Sequence, residues 1–170
     1  GINMILVLLL YIHFPRATVP SIVFYNLHNC AAVHFIEADN SSYLCSDRKD
    51  STYIYMKNIA ETYWKRKKMP IPHLLLSDYE GRNVWSHKGI VHWRGMNICM
   101  VTDGYWRNKS ATNLLDIDYM YLCKGYKGEI APLQKLFHIK RIVLDASLGD
   151  YKSKAYKEEC KTLGLDYIDI

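Results

Sequence analysis

Residues 114–170 read LLDIDYMYLCKGYKGEIAPLQKLFHIKRIVLDASLGDYKSKAYKEECKTLGLDYIDI, and this stretch decides the fold. Residues 118–123 and 141–145 are short apolar runs rich in β-branched and aromatic side chains, the mark of buried strands. Residues 129–137 fit a short helix. Residues 151–163 form an amphipathic one, with Tyr156, Cys160 and Leu163 facing inward and Lys154, Lys157, Glu158 and Lys161 outward. Gly164 supplies its stop, and residues 166–170 close with a strand. Strand and helix alternate, which predicts parallel pairing through right-handed crossovers.

Upstream, residues 73–76, 83–87, 90–93 and 97–102 read as short strands. Glu80-Gly81, Lys88-Gly89 and Arg94-Gly95-Met96 give the turns of antiparallel meanders. A helix is expected from Ser51 as N-cap through Trp64, with Ile54, Ile59, Ala60 and Tyr63 near one face. Its end, Lys65-Arg66-Lys67-Lys68, suits the C-terminal dipole, and Pro70 and Pro72 stop it. Before it, residues 21–28, 31–38 and 43–45 predict a three-strand meander. A meander followed by βαβαβ predicts an α/β sandwich in one domain.

The composition agrees. A chain of 170 residues with 49% hydrophobic and 23% charged residues holds a real core and is not disordered. The formal charge of +5 permits an anionic partner without requiring one. Cysteines at 30, 45, 99, 123 and 160 show no CxxC spacing, and their odd number excludes a complete internal disulfide framework. Burial as small apolar side chains is the expectation. Residues 4–12, MILVLLLYI, are nine apolar residues in a row. That is too short to span a bilayer, and a basic leader and cleavage site are lacking. The run reads as a buried strand or as the tail of a membrane helix. The exit through His-Phe-Pro-Arg favours the latter, giving a membrane segment over 1–16 and a soluble domain over 17–170.

Candidate chemistry is sparse. The histidines at 13, 28, 34, 73, 87, 92 and 138 show no metal-binding spacing, although hairpins would bring His28 towards His34 and His87 towards His92. No phosphate loop or GxSxG elbow is present. Asp116, Asp118, Asp145 and Asp150 lie near strand ends, where open α/β sheets place their sites. Capping and turn roles are the plainer reading. Trp64 with Lys65, Arg66, Lys67 and Lys68, beside Tyr63, combines aromatics and cations as a single-strand platform does. A solvated helix end is the plainer reading there too.

The segment order resembles a known family. SIVFYNLHNCAAVHFIEADNSSYLCSD (21–47), IDYMYLC (117–123), KRIVLDAS (140–147) and YKEECKTLGLDYIDI (156–170) resemble the C-terminal soluble region of ComEC-family DNA-uptake proteins of the Bacteroides-like type. The resemblance runs over residues 20–170. It implies a fold similar to metallo-β-lactamase, an αββα sandwich. Metal-binding members of that fold carry an H-x-[HD]-x-D-H loop after the strand matching IDYMYLC. Here the loop is Lys124-Gly125-Tyr126-Lys127-Gly128-Glu129. Lys124, Tyr126, Gly128 and Glu129 take the ligand positions, and only Glu129 is a ready ligand. The resemblance therefore implies the fold with its metal site lost, no catalytic residues and no cofactor. Lys124 and Lys127 stand where the metals' positive charge would be, and join residues 64–68 as candidate nucleic-acid contacts.

The function implied is a non-catalytic accessory domain of an inner-membrane DNA-uptake channel in bacteria. Its partners would be its own membrane-embedded channel domain and single-stranded DNA. Two alternatives stand beside it. One is a metal-dependent hydrolase or nuclease using unusual ligands. The other is a structural protein-interaction module of a membrane protein.

Overall fold

In a computed structural model, the structure describes residues 19–27, 30–39, 41–46, 51–75 and 78–170. The apolar run 4–12 and His28 lie outside the described residues, as do residues 47–50 ahead of the first helix. Among the described residues, no helix is long and apolar enough to cross a membrane.

The architecture is mixed α/β. Strands β1 (Ser21–Phe24), β2 (Ala32–Ile36) and β3 (Ser42–Ser46) form the expected antiparallel meander. Helix α1 (Ser51–Lys67) then leads to β4 (His73–Leu75), which joins β3 in parallel and completes a four-stranded sheet. The second sheet has seven strands. Strands β5 (Tyr79–Glu80), β6 (Val84–His87), β7 (Ile90–Trp93) and β8 (Met96–Val101) run antiparallel. Strands β10 (Tyr119–Leu122), β12 (Arg141–Leu144) and β13 (Asp166–Asp169) extend it from β8 in parallel. Helix α2 (Asp150–Leu163) makes the last crossover.

Alternation along the strands sorts the side chains into layers. Val33, Phe35, Cys45 and Leu75 of the first sheet pack against Trp93, Ile98, Met100, Tyr121 and Val143 of the second. The opposite face of the first sheet, Ala32 and Leu44, packs on Ala60 and Trp64 of α1. The opposite face of the second sheet, Met120, Leu122, Ile142 and Leu144, packs on Tyr156 and Cys160 of α2. Strands β8, β10 and β12 are thus covered on both faces, which is why they read as unbroken apolar runs. All five cysteines are buried.

Three expectations need correction. The helix expected over 129–137 is a 3₁₀ turn, Ala131–Lys135, holding Pro132 in its first turn. Phe137 leaves it for β11 (Phe137–Ile139), which pairs in parallel with β9 (Leu115–Ile117) as a separate two-stranded sheet. Ile54, expected on the inner face of α1, is 62% exposed; Ala60 is buried there as expected, together with Trp64 one turn on. The β6–β7 register sets His92 opposite Trp85, and the two rings of interest do not share a site: His87 pairs with Asp78 at 2.9 Å, and His92 with Asn97 at 2.7 Å.

Both helices end alike. At α2 the amides of Gly164 and Leu165 donate to the carbonyls of Lys161 and Cys160, with Gly164 left-handed at φ 67. At α1 the amides of Lys68 and Met69 donate to Lys65 and Trp64 in the same pattern, but Lys68 holds the left-handed position at φ 53. A side chain there costs roughly 1–2 kcal/mol relative to glycine.

Beneath α1 a polar chain runs through the core. Trp64 Nε1 donates to Tyr25 Oη at 2.7 Å, and that hydroxyl meets His34 Nδ1 at 2.8 Å. His34 is fully buried, and among the described residues its Nε2 has no hydrogen-bond partner. Burial pulls the imidazole down from 6.5 to about 4. The unfolded chain therefore binds a proton that the folded chain refuses between those values. Stability from this residue is complete above about pH 6.5 and is lost as pH falls towards 4, by about 3 kcal/mol in all. Urea midpoints measured from pH 7 to pH 4 should show this fall, and His34→Leu should flatten it. An unchanged slope in the variant would refute the assignment.

Candidate nucleic-acid interface

The parallel strands β8, β10, β12 and β13 end level with one another: Val101, Leu122, Leu144 and Asp169 are in register. Their carboxyl edge is where such sheets offer groups to a ligand. One step beyond the strands lie Thr102, Cys123, Asp145 and Ile170. A cleft of about 460 Å³ opens there, lined in part by Asp145, Asp150, Ser153, Lys154, Lys157 and Asp169.

The loop after β10 is built from its glycines and its tyrosine. A Cβ on Gly125 would stand 1.8 Å from the Thr102 carbonyl oxygen, so only glycine lets this backbone cross the end of β8. Tyr126 turns inward and is 1% exposed. Its hydroxyl donates to the Glu129 carbonyl at 2.7 Å, and its ring stacks on Tyr156 with centroids 6.4 Å apart. From α2, the Tyr156 hydroxyl donates to the Gly128 carbonyl at 3.0 Å and Lys152 Nζ donates to it at 2.8 Å. Glu159 accepts the amides of Ile130 and Ala131 at 2.7 and 2.9 Å. Lys124, Lys127 and Glu129 are left exposed.

This donor set does not suit a metal. Tyr126 is committed to the backbone, Lys124 is a cation, and Gly128 offers no side chain. Asp145, 2% exposed, accepts from the Tyr121 hydroxyl, the Ser147 hydroxyl and the Ser147 amide, the last at 3.0 Å. Burial, then the charge of Asp145, pushes the Tyr121 phenol far above its usual range, so it stays a donor. Asp118 is engaged by Lys140 at 2.7 Å and by the Asn97 amide at 2.8 Å. Among the described residues, no group of three or more His, Cys, Asp or Glu side chains is placed to hold a metal ion.

The candidate contacts separate into two places. Lys124 and Lys127 sit on the carboxyl edge of the seven-stranded sheet. Lys65, Arg66 and Lys67 at the end of α1 and Lys68 just past it are exposed; α1 covers the outer face of the other sheet, and Lys65 pairs with Glu61 at 2.7 Å. Trp64 is 2% exposed and bonded to Tyr25, which withdraws it from any stacking surface.

Sequence reasoning passed over residues 103–109, Asp-Gly-Tyr-Trp-Arg-Asn-Lys. This loop leaves β8 beside Gly125. Tyr105 is 39% exposed and carries Lys109 Nζ 3.2 Å from its ring centroid, with Lys88 Nζ at 5.6 Å. The adjacent aromatic pair among cations was the signal available.

The ComEC C-terminal domain family model matches residues 22–170. No curated protein and no solved structure matches the chain.

Proposed function

The chain belongs to the ComEC C-terminal domain family, and on that premise we propose a non-catalytic domain of a bacterial DNA-uptake protein, accessory to passage of single-stranded DNA through its membrane channel. In this reading the protein sits in the inner membrane. Residues 17–170 form one soluble unit that docks on the protein's own channel domain. The two facing sheets between α1 and α2 are read as a sandwich of metallo-β-lactamase type whose metal site is lost.

The observation that carries the reading is the loop after β10. Three of its four ligand positions are taken by a lysine, a buried tyrosine and a glycine, the fourth by the single carboxylate of Glu129, and the tyrosine is fastened to α2. A site built this way presents positive charge at the sheet edge. Cations there attract phosphates and release counterions, which supports binding that weakens as salt rises. The experiment is elemental analysis of the purified protein together with a nuclease assay in added Mn²⁺. The expected result is no stoichiometric metal and no chelator-sensitive cleavage. Bound metal at one ion per chain, or cutting that chelator abolishes, would overturn the reading.

A further inference from the structure

We propose that Lys88, Tyr105 and Lys109 form a single-stranded nucleic-acid contact, in which the tyrosine ring receives a base and the two lysines take the flanking phosphates. The inference rests on the reading of this domain as one that meets DNA, and it moves the contact away from the basic end of α1.

Two elements converge on the cluster. Lys88 comes from the β6–β7 turn, and Tyr105 and Lys109 come from the loop after β8. Two ammonium groups gather on one phenol ring, at 5.6 and 3.2 Å from its centroid. The neighbouring Lys88 and Lys109 ammonium groups hold the phenol below its usual range. Among the described residues, none of Lys88, Arg107, Lys109 and Lys124 forms an ion pair with a carboxylate. The nearby Asp103 accepts the Tyr105 amide at 2.8 Å and so shapes the loop. Like charges have been brought together around an aromatic ring and left unneutralised.

The cluster is also rigid. The Tyr105 ring meets Trp106 edge-on at 4.7 Å, and Trp106 meets Phe137 at 5.1 Å, which ties the exposed ring to the core. Lys88 occupies φ 48 and Asn108 φ 59. The Lys88-Gly89 turn needs two left-handed residues, and Asn or Asp suits the first better than Lys. A cation is held there in a backbone geometry that disfavours it, as happens where function sets the choice. Ring and cations then exchange partners on binding. Each lysine leaves an exposed cation–π contact, a weak one, for a phosphate oxygen, and the freed face takes a base. Stacking tolerates any base, so the site is sequence-indifferent.

The test is fluorescence anisotropy of labelled oligothymidylate with the whole protein across a salt series. Variants are Lys88→Asn with Lys109→Gln, Tyr105→Leu alone, and Lys65→Gln with Lys67→Gln. The lysine pair at 88 and 109 should weaken binding about tenfold or more at low salt. It should also flatten the salt slope by about 0.7 for each phosphate contact removed. Tyr105→Leu should weaken binding about fivefold or more with the slope unchanged. Lys65→Gln with Lys67→Gln should change neither. If the wild-type binds and only the 65/67 pair matters, this inference falls while the proposed function stands. If the wild-type protein binds no oligonucleotide at all, the proposed function falls with it. Vesicles containing phosphatidylglycerol provide the remaining arm. Loss of vesicle binding in the 88/109 variant, with oligonucleotide binding intact, would assign the cluster to lipid headgroups and overturn the inference.

Discussion

Tyr126→Ala should cost about 3–5 kcal/mol of unfolding free energy, the range for removing a large aromatic from a core. The ring belongs to the same buried cluster as Leu122, Leu144 and Tyr156. Removing it opens a cavity under the loop, ends the stacking on Tyr156, and leaves the Glu129 carbonyl without its donor. Tyr126→Phe keeps the ring and loses only the hydroxyl contact, so about 1 kcal/mol is expected. The spacing between these two values separates packing from hydrogen bonding. Urea unfolding reads it as a shift in midpoint at constant slope. An alanine variant within about 1 kcal/mol of wild type would mean the loop is not fastened by this residue. The argument that its ligand positions have become structural would then lose its main support.

That fastening shows how far sequence reaches. Apolar runs made β8, β10 and β12 legible, because both faces are buried: Met120 and Leu122 face one core while Tyr119, Tyr121 and Cys123 face the other. The end of α2 was legible from Gly164, since a left-handed closing residue favours glycine. Strands β9 and β11 were not legible. Each has three residues, too short for a periodic signal, and their pairing is between segments distant in the chain. The helix expected over 129–137 is only a short 3₁₀ segment, Ala131–Lys135. The reading of Trp64 failed for a geometric reason. Neighbours on a helix point about 100° apart, so a tryptophan beside four cations is free to face inward. Its partner is Ala60, four residues back.

The candidate site was legible in its loop and not in its surroundings. Lys124 and Lys127 are exposed. The partners that hold the loop, Lys152, Tyr156 and Glu159, read in sequence as an ordinary amphipathic helix. Lys88 and Lys109 are 21 residues apart, and only the register of β6, β7 and β8 brings both to one ring. A contact assembled across a sheet leaves no local pattern, whereas a run of four cations on one helix end is conspicuous and carries little structural meaning.

Glu37→Ala should cost about 2–3 kcal/mol at a different joint, chiefly by leaving a buried donor unpaired. Glu37 follows β2 of the four-stranded sheet and is 2% exposed. Its Oε1 accepts the Trp93 indole N–H at 2.6 Å, and its Oε2 accepts from Arg94 at 2.9 Å. Trp93 ends β7 and Arg94 opens the turn into β8, so one carboxylate joins the two sheets. The indole N–H is buried in the core between them, and alanine would leave it without an acceptor. Arg94 has the left-handed φ of 49 in its turn. Glu37→Gln keeps an oxygen for Trp93 and loses the charge that Arg94 meets. A cost of about 1–2 kcal/mol is expected. Arg94 is 44% exposed at its side chain, so solvent shares in its charge and Arg94→Ala should cost less than Glu37→Ala. Combining Glu37→Gln with Arg94→Ala should cost less than the sum of the two, by about 0.5 kcal/mol or more. Strict additivity would mean the ion pair contributes nothing, and the joint would then rest on the Trp93 hydrogen bond and on packing alone.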